Sequence, residues 1–432
     1  MGAERRCEAV GTEIGKLRVR HGALASTERF LRFRPSNSDT FPRARHEAGL
    51  REDAASRIVQ RMMESESFDA IVIGAGMAGA TAAAHLASDY RVALVEAEDA
   101  AGYHSTGRSA AMFILNYGPP DVRVLSGLSR GFFDSPPAGF AEHHLMHRRP
   151  VLFLAPPEQA AALDRMLGEV PGLKPLDIAE AKALVPALKP GYAVGAAIEE
   201  DDFDIDVAAL HQGFLAALRA RGGVLALRSR AARIERRAGL WEVDTTAGAV
   251  FRARVLVDAA GAWGDEVARL GGVAPLGLTP CRRTGVIIDP APFETEGWPL
   301  VNDVGHTWYV RPEARTRLMV SPADETPMPP QDIQPDELDI AIAVDRMQQA
   351  LEIEVRHVER AWAGLRTFTP DRSLAIGWDG AAEGFFWCVG QGGYGIQTAP
   401  AAGRLVADLI AGRDPGPAHR ALSAIDPRRF VG

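Results

Sequence analysis

The stretch that decides the fold of this chain is FDAIVIGAGMAGATAAAHLASDYRVALVE, residues 68–96. It begins with an apolar run at 70–73, typical of a buried parallel strand, and continues into the glycine-rich sequence GAGMAG at 74–79. The alanine-rich segment 80–87 predicts a helix, and the apolar residues of 91–95 predict a second strand. A strand, a glycine-rich turn, a helix and a second strand in this order predict a βαβ unit that binds a dinucleotide.

Each glycine of this turn has a physical function in such a unit. Gly74 permits the tight turn, Gly76 lets the backbone approach a pyrophosphate, and Gly79 lets the helix pack closely against the sheet. The N-terminus of the helix offers free N–H groups to the phosphates. Glu96 follows the second strand, roughly 20 residues after the turn, where an acid binds the ribose hydroxyls. A carboxylate there would repel a 2′-phosphate, which favours FAD or NAD over NADP.

The composition is that of a globular protein with more than one domain. The chain has 432 residues, of which 47% are hydrophobic and 24% charged, so two interleaved domains are expected. The net charge of −8 argues against nucleic acid or an anionic membrane surface as a partner, and no apolar run approaches the roughly 18 residues of an integral membrane segment. The absence of a CxxC pair indicates a reducing, cytoplasmic location, and the 11 histidines lack metal-ligand spacing, so no metal site is predicted. His211 is expected to be a polar surface residue of a helix.

Residues 1–67 differ from the remainder of the chain. They are rich in arginine, show little hydrophobic periodicity and lack the apolar core of a secretory signal. They also contain acidic residues, which are unusual in a transit peptide. We expect this segment to be a disordered or non-native N-terminal extension, with Met62 or Met63 as an alternative natural start.

Two later strands also end in small residues. The strand predicted at 252–258 runs into Ala-Ala-Gly at 259–261, and the strand at 384–389 runs into GQGGYG at 390–395. Such turns allow backbone to approach a ligand closely, so the chain is expected to return to the nucleotide-binding unit. The pattern further predicts strands at 149–155, 224–234, 240–243, 275–289, 307–311, 318–321 and 354–362 and helices at 158–167, 178–185, 204–220, 335–351 and 397–410.

With these residues in view, the sequence resembles the D-amino-acid oxidase superfamily of FAD enzymes, and within it the D-arginine dehydrogenases most closely. The resemblance extends from residue 68 to about residue 411 and is carried by VIGAGMAGA, GYHSTGRSAA, NYGPPDVR, FFDSPPAGF, DIDVAALHQG, VLVDAAGAW, AGLRTF and GFFWCVGQGGYGIQT. It implies an α/β plus antiparallel β fold, in which a Rossmann-like FAD-binding domain is interleaved with a substrate domain built on a mostly antiparallel sheet. The expected division is 68–112, 201–270 and 366–415 for FAD binding, 113–200 and 271–365 for the substrate, and 416–432 as a C-terminal tail.

The resemblance also implies a reaction. A free D-amino acid would transfer a hydride from its Cα to N5 of a noncovalent FAD, and water would hydrolyse the imino acid to a 2-oxo acid and ammonia. The electron acceptor is not identified by the sequence, and a quinone or the respiratory chain are the candidates. The residues expected to bind FAD are Gly74, Gly76, Ala78, Gly79, Glu96, Ala97, Ser105, Thr106, Gly107, Arg108, Ser109, Ala110, Ala111, Met112, Gly261, Gly364, Gly392, Gly393, Tyr394, Gly395 and Ile396.

Two arginines match the family's clamp for the substrate carboxylate. They are Arg366 and Arg283, with Arg282 as the alternative to the latter if the register is shifted by one. A guanidinium group binds a carboxylate through two parallel hydrogen bonds. Tyr117 and Tyr309 match tyrosines that bind the same carboxylate. The resemblance places Gly393 and Gln397 beside the substrate.

Three positions of the side-chain pocket depart from the D-arginine dehydrogenases. Val151 stands where that family has an acid, and Met112 and Ile114 replace a histidine and a threonine. All three changes are from polar to apolar. Burying a cationic side chain there without a partner would cost several kcal/mol. We therefore expect a preference for apolar D-amino acids and poor use of D-arginine and D-lysine.

Two other functions remain open on the sequence alone. The same arginines and tyrosines would suit an oxidase of glycine, sarcosine or another amine that uses oxygen. A flavin-binding protein without turnover is the second alternative, although such a protein would have no need of a carboxylate clamp.

Overall fold

The computed structural model describes residues 67–430. The predicted N-terminal extension up to residue 66, with the alternative starts at Met62 and Met63, lies outside this range, as do the last two residues of the predicted tail. Within the described range, no helix is long and apolar enough to cross a lipid bilayer.

The helices, in chain order, are α1 (Met77–Leu86), α2 (Pro120–Asp134), α3 (Ala160–Glu169), α4 (Ile178–Leu184), α5 (Val207–Ala220), α6 (Gly264–Leu270), α7 (Glu337–Ala350), α8 (Ala399–Ile410) and α9 (His419–Ile425). The strands are β1 (Phe68–Ile73), β2 (Val92–Val95), β3 (Met112–Phe113), β4 (Met146–Arg148), β5 (Val151–Ala155), β6 (Lys174–Leu176), β7 (Gly195–Glu199), β8 (Phe203–Ile205), β9 (Val224–Ala226), β10 (Ala231–Arg237), β11 (Leu240–Thr245), β12 (Val250–Asp258), β13 (Thr279–Ile288), β14 (Leu300–Asp303), β15 (Tyr309–Glu313), β16 (Arg317–Ser321), β17 (Thr326–Pro327), β18 (Arg360–Phe368), β19 (Ala375–Trp378) and β20 (Phe385–Val389).

The first sheet is built around five parallel strands in the order β9-β2-β1-β12-β20. The strand order changes direction at β1, because β2 lies on one side of it and β12 on the other. The turns after β1, β2 and β12 therefore lead to opposite sides of the sheet. β10 and β11 form an antiparallel hairpin on the first half of β12, and β19 pairs antiparallel with β20. The parallel order agrees with the expected Rossmann-like unit, and the added antiparallel strands make the sheet mixed.

The second sheet is mostly antiparallel, as the sequence predicts. Its order is β18-β13-β16-β15-β14-β5-β7-β6, with the short β17 beside β13. The pair β5–β14 is parallel, which makes this sheet mixed as well. A small third sheet, β3-β8-β4, is antiparallel.

Small residues let the helices pack closely on the first sheet. Ala80 and Ala83 of α1 are fully buried, and Thr81 donates to the carbonyl oxygen of Ala399 at the start of α8. A Cβ atom on Gly403 of α8 would lie 2.3 Å from the Thr81 hydroxyl. The alanine-rich pattern of α1 therefore reflects close helix packing as well as helix propensity.

The second sheet separates an interior core from the face that lines the site. Leu152, Leu154 and residues of α7 form one fully apolar cluster on the first face. Val151 and Phe153 alternate with them and lie on the opposite face, beside Met112, Ile114 and Tyr309. Alternation along β5 thus places its odd-numbered residues on the sheet face that the site occupies.

Three predicted elements differ from the structure. The helix predicted from 204 begins at 207, because the Asp206 carboxylate caps it by accepting the N–H of Ala209. The strand predicted at 224–234 is broken into β9 and β10, since Arg228 has φ +52°. The strand predicted at 354–362 starts at 360, where its partner β13 ends.

The structure also bears on the ends of the predicted domains. β18 runs without interruption across the boundary expected at 366 and pairs along its length with β13 in the second sheet. The predicted C-terminal tail contains α9, whose Ala421 and Ile425 are fully buried. Hydrophobic burial therefore fixes at least this part of the tail to the body of the protein.

Candidate active site

The parallel strands of the first sheet end at a cavity of about 1,100 Å³. The turns after β1, β2, β12 and β20 line one part of it, and one face of the second sheet lines the other. Open α/β sheets bind ligands at the carboxyl ends of their strands. The volume exceeds the roughly 300–1,000 Å³ of pockets for drug-sized ligands, so it suits a dinucleotide together with a small substrate.

The turn after β1 has a backbone that requires glycine. Gly74 has φ +98°, and a Cβ atom there would lie 2.6 Å from the carbonyl oxygen of Ala259. A Cβ on Gly79 would lie 1.8 Å from the carbonyl oxygen of Gly74, so α1 begins in direct contact with the turn. A Cβ on Gly76 would come 3.3 Å from the hydroxyl of Thr106. The turn therefore presents backbone N–H groups at the start of α1, as binding of a pyrophosphate requires.

Glu96 lies at the end of β2 on the wall of the cavity. Its Oε2 accepts the N–H of Ala75 at 2.7 Å, and its Oε1 accepts the N–H of Glu98 at 2.9 Å. These bonds hold a carboxylate in a defined position beside the glycine turn. The position fits the ribose hydroxyls of an adenine nucleotide and opposes a 2′-phosphate.

The loop that contains Ser105 and Arg108 is tied to the second sheet. Ser105 Oγ donates to the carbonyl oxygen of Leu365 at 2.6 Å, and Arg108 Nη1 donates to a second carbonyl oxygen of β18 at 3.1 Å. Thr106 Oγ1 accepts the first N–H of α1 at 2.9 Å. The sequence predicts contacts from these side chains to the cofactor. In the structure, the Ser105 and Arg108 side chains hydrogen-bond β18, and Thr106 accepts a hydrogen bond from the start of α1.

His211 is a contact that sequence reasoning missed. Its Nε2 lies 2.9 Å from the carbonyl oxygen of Ala75, and the residue is 3% exposed, so the expectation of a surface residue is wrong. Burial lowers the pKa of His211, although the bond to Ala75 opposes this. A neutral imidazole thus joins α5 to the glycine turn. Its position on the buried face of an amphipathic helix is the signal that could have revealed it.

Two arginines on neighbouring strands face the cavity. Arg366 of β18 pairs with Cys281 of β13, and Arg283 lies two residues further along β13, so both side chains point to the same face. Gly364 lies directly opposite Arg283, and a Cβ atom on it would lie 3.3 Å from Cβ of Arg108. Arg282 points to the other face, where its Nη2 lies 2.7 Å from Asp339 Oδ2. The register therefore places Arg283, and not Arg282, at the site.

Two tyrosines complete this group. Arg366 Nη1 donates to the hydroxyl oxygen of Tyr117 at 3.2 Å. Arg283 Nη2 lies 3.0 Å from Glu325 Oε1, and its Nε donates to a backbone oxygen. The Tyr309 hydroxyl is buried and makes no hydrogen bond of good geometry within residues 67–430. A buried hydroxyl without a partner is costly, so a ligand atom at this point would be favoured.

The electrostatics of the four residues favour an anion. Burial lowers the pKa of Arg283, and the positive charge of Arg366 lowers it further. Burial alone would raise the pKa of Tyr309, yet the charges of Arg366 and Arg283 bring it below its usual range. Burial would lower the pKa of Arg366, but Tyr117 and Tyr309 raise it. The two guanidinium groups repel each other, and a bound carboxylate would offset this repulsion.

The last glycine turn contacts the same group. A Cβ atom on Gly393 would lie 2.8 Å from Arg366 Nη1 and 3.2 Å from the Tyr117 hydroxyl. Gly392 has φ +49°, and a Cβ there would lie 2.5 Å from the ring of Phe368. Glycine is therefore required for the chain to pass between the cavity and β18. Backbone at this point lies beside the arginines and tyrosines.

Gln397 has a supporting position rather than a free one. Its Oε1 accepts the N–H of Ile114 at 3.1 Å, and its Nε2 donates to the Ile114 carbonyl oxygen and to Ser126 Oγ. The side chain is 2% exposed although the residue borders the cavity. Gln397 thus fixes the segment that carries Ile114 and Tyr117.

One part of the cavity wall is apolar. Met112 and Ile114 line it as predicted, and Phe153 and Leu300 from the second sheet join them. Val151 does not reach the lining, because it is fully buried between β7 and β14 on the same face as Phe153. Val151 therefore lies behind the wall and supports it.

Most of the predicted cofactor residues line the cavity, and two do not. Gly79 faces the glycine turn, and Gly107 donates its N–H to the carbonyl oxygen of Gly102. Both residues shape the backbone of the cavity wall without lining the cavity. Lining residues that sequence reasoning missed include Asn116, Phe153, Met166, Glu199, Trp263, Leu300 and Glu325. Except for Asn116 and Trp263, they come from segments without a glycine or cofactor pattern, and the pairing of β5, β7 and β14 brings several of them together.

The donor set fits a flavin dinucleotide, with free backbone at the start of α1, an acid after β2, and glycine turns after β12 and β20. The family model described as DAO, FAD dependent oxidoreductase, matches residues 69–409. FAD-dependent oxidoreductase domain-containing protein 1 of Bos taurus is 25% identical over 176 residues, which are 36% of this chain and 35% of that protein. The match thus spans about a third of the length of that relative.

Solved structures of three enzymes share the fold. Glycine oxidase from Geobacillus kaustophilus matches with a TM-score of 0.73 and 22% identity, over 85% of this chain and 100% of that one. L-proline dehydrogenase from P. horikoshii matches with 0.72 and 22%, over 85% and 98%. L-alpha-glycerophosphate oxidase from Mycoplasma pneumoniae, solved with FAD bound, matches with 0.72 and 16%, over 80% and 95%. At these identities the likeness shows the fold alone.

Proposed function

This chain belongs to the DAO family of FAD-dependent oxidoreductases, and we propose that it oxidises free D-amino acids to 2-oxo acids and ammonia. The observation that carries the proposal is the group of Arg283, Arg366, Tyr117 and Tyr309 on the cavity wall. Two buried cations and an unpartnered hydroxyl suit the carboxylate of an α-amino acid.

The free donors of Arg366 support this assignment. A guanidinium group carries five N–H donors, and within residues 67–430 a single one of them, on Nη1, meets an acceptor. The guanidinium group that carries the remaining donors lines the cavity beside the backbone of Gly393. A substrate carboxylate would take two of them in parallel and accept a third hydrogen bond from Tyr309.

The apolar wall supports a substrate with an apolar group next to Cα. A side chain that packs against Met112, Ile114, Phe153 and Leu300 would gain roughly 1.5–3 kcal/mol from burial. Because the carboxylate is held at one end and the side chain at the other, the Cα–H bond has a restricted direction. Orientation of this kind is the main contribution of a protein to a reaction whose redox chemistry belongs to the cofactor.

The overall reaction balances without a further protein group. Bound FAD would supply the hydride acceptor for this oxidation, and the substrate would lose a hydride from Cα and a proton from its nitrogen to give an imino acid. Water then adds to the C=N bond, and ammonia leaves to give the 2-oxo acid. The chain's own residues bind the carboxylate, restrict the side chain and keep the reacting carbon away from bulk water.

We further propose two domains, one around each large sheet, and a noncovalent FAD in a cytoplasmic enzyme. The electron acceptor would be oxygen, a quinone or another component of a respiratory chain. Denaturing the protein should release FAD into the supernatant, because neither described cysteine, Cys281 or Cys388, lines the cavity. Flavin that stays with the precipitated chain would contradict noncovalent binding.

The substrate assignment is tested by product analysis. Purified holoenzyme is incubated with D-leucine, L-leucine, glycine or sarcosine and an artificial electron acceptor, and 2-oxo acid and ammonia are measured. Equal amounts of both products from D-leucine, and little from the other compounds, are expected. Preferred use of L-leucine would overturn the stereochemistry. Peroxide formed steadily from glycine or sarcosine with oxygen would instead support an amine oxidase.

A further inference from the structure

Strand pairing places an acid beside the apolar wall, one strand away from Val151. Glu199 of β7 is the direct partner of Val151 in β5. Directly paired residues share a face of the sheet, so Glu199 points to the same side as Val151 and Ala197. It borders the cavity, whereas Val151 does not.

We propose that Glu199 determines specificity at the far end of the substrate pocket, where it accepts a hydrogen bond from an amine or other N–H group at the end of the substrate side chain. The inference rests on the proposed function and names a residue that neither motif matching nor the glycine pattern indicates. It also reverses the sequence-based expectation that D-arginine and D-lysine are poor substrates, because that expectation assumed a pocket without an acid.

The contacts of Glu199 leave acceptor capacity unused. The residue is 6% exposed, and its Oε1 accepts a hydrogen bond from Asn116 Nδ2 at 2.6 Å. Within residues 67–430, no other side chain donates to this carboxylate, although the backbone of Asn116 also hydrogen-bonds it. A carboxylate has about four acceptor positions, so acceptor capacity remains for a ligand donor on the cavity side.

The position of Glu199 relative to the carboxylate clamp suits the end of a side chain. Strand pairing aligns Tyr309 of β15, through β14 and β5, with Ala197 of β7, which is three strands away. Glu199 lies two residues further along β7, so its backbone is about 16 Å from that of Tyr309. Asn116, which holds Glu199, belongs to the same segment as Tyr117 of the clamp. The pocket between them has apolar walls and an acid at its end, as a methylene stem with a polar head requires.

A second buried acid interacts electrostatically with Glu199. Burial, and then the charge of Glu199, raises the pKa of Asp202 to about 9, so Asp202 holds a proton at neutral pH. Burial also raises the pKa of Glu199, while Asn116 and the charge of Arg123 oppose this and Asp201 adds to it. A bound ammonium group would favour the ionised form of Glu199.

The test compares two substrates of nearly equal shape in the wild-type holoenzyme and the Glu199→Gln variant. D-norleucine ends in a methyl group where D-ornithine ends in an ammonium group. Anaerobic flavin reduction is followed at a series of concentrations of each. Gln keeps an oxygen for Asn116, so folding should be preserved. Glu200→Gln is the matched control, because the Glu200 side chain is 42% exposed and pairs with Lys174.

We expect Glu199→Gln to reduce the efficiency of flavin reduction by D-ornithine at least about 10-fold and to leave D-norleucine within about 2-fold. Glu200→Gln should change neither. An equal effect of Glu199→Gln on both substrates, or none on D-ornithine, would overturn the inference. Should Glu199→Gln not fold, Asn116→Ala, which frees the carboxylate, should shift the ratio of the two substrates. Failure of D-norleucine as well as D-ornithine in the wild type would count against the proposed function itself.

Discussion

The cofactor end of the cavity is built from backbone, whereas the substrate end is built from side chains. At the cofactor end, Gly74 and Gly392 have positive φ, and added Cβ atoms would lie within 2.6 Å of other atoms. At the substrate end, Arg283, Arg366 and Tyr309 project from three strands of one sheet face. Substitutions that add atoms should therefore impair the cofactor end, and substitutions that remove side-chain groups should impair the substrate end.

The largest effect is expected at Arg366. Arg366→Lys replaces the planar group that binds a carboxylate through two hydrogen bonds with a single ammonium. Lysine keeps the positive charge but loses one of the two parallel hydrogen bonds to the carboxylate, which costs about 1.5–3 kcal/mol when the partners are charged, so kcat/KM for D-leucine should fall about 10- to 100-fold. FAD content, measured by absorbance per chain, should remain that of the wild type.

Arg360→Lys is the control for this variant, because Arg360 begins the same strand and is exposed. It should leave kcat/KM unchanged. Normal activity of Arg366→Lys would show that the carboxylate binds elsewhere.

The next effect concerns the backbone end. Gly74→Ala introduces both an unfavourable φ and a contact at 2.6 Å with the Ala259 carbonyl oxygen. Gly248→Ala shares the positive φ of +81° but has open space around it. Strain of a left-handed residue is about 1–2 kcal/mol in both, so Gly74→Ala should lose FAD and thermal stability well beyond the control. Equal losses in the two variants would mean that the close contact with Ala259 has no role.

A smaller effect is expected from the hydroxyl of Tyr309. Its neutral form can donate to a carboxylate, and its ionised form would repel one. Because the charges of Arg366 and Arg283 outweigh burial and lower the pKa of Tyr309, binding should weaken at a pH below the ordinary value of about 10.

The probe for this prediction is 4-methylpentanoate, which is leucine without its amino group, so the ligand does not titrate in the alkaline range. Tyr309→Phe should weaken its binding several-fold and remove the alkaline loss of affinity, followed through the flavin spectrum. An alkaline loss that persists in the Phe variant would assign it to another group.

The smallest effect on activity should come from Asp202, whose raised pKa bears on stability. The unfolded carboxyl ionises near its ordinary value of about 4, while the folded one keeps its proton up to about 9. Stability contributed by this group is therefore full at low pH and is lost as the pH rises toward 9. Asp202→Asn should raise Tm at pH 8 relative to the wild type, with little change near pH 4.

Asp164→Asn, at an exposed acid of α3, is the control and should leave the pH dependence of Tm unchanged. A wild-type slope retained in Asp202→Asn would assign the titration to another residue.

The same contrast explains what the sequence could predict. The glycine turns at 74–79 and 390–395 could be predicted because the need for glycine arises from φ and from close contacts with neighbouring backbone. Both turns lie at the cavity. The mostly antiparallel second sheet and Arg366 followed from strand patterns and family blocks. The helix Pro120–Asp134 was missed because it follows Pro119, starts with a second proline and contains two glycines, although Pro is tolerated in the first turn.

Residues that depend on register could not be placed in this way. Val151 was expected in the pocket from matching of a motif, but pairing with Glu199 and Leu300 buries it. Glu199 itself stands in the acidic run 199–202, which is typical of an exposed loop. Its contact with Asn116 joins segments 83 residues apart in the chain, and no local pattern predicts such a pair.

The central claim is that the arginine and tyrosine group binds the carboxylate of a D-amino acid in front of the flavin. Anaerobic titration of the FAD-loaded protein with D-leucine and L-leucine, in the wild type and in Arg366→Lys, tests it most directly. We predict that D-leucine bleaches the flavin of the wild type, that L-leucine does so poorly, and that the variant keeps its colour with both. Bleaching by neither enantiomer in the wild type, or equal bleaching by D-leucine in Arg366→Lys, would contradict the account.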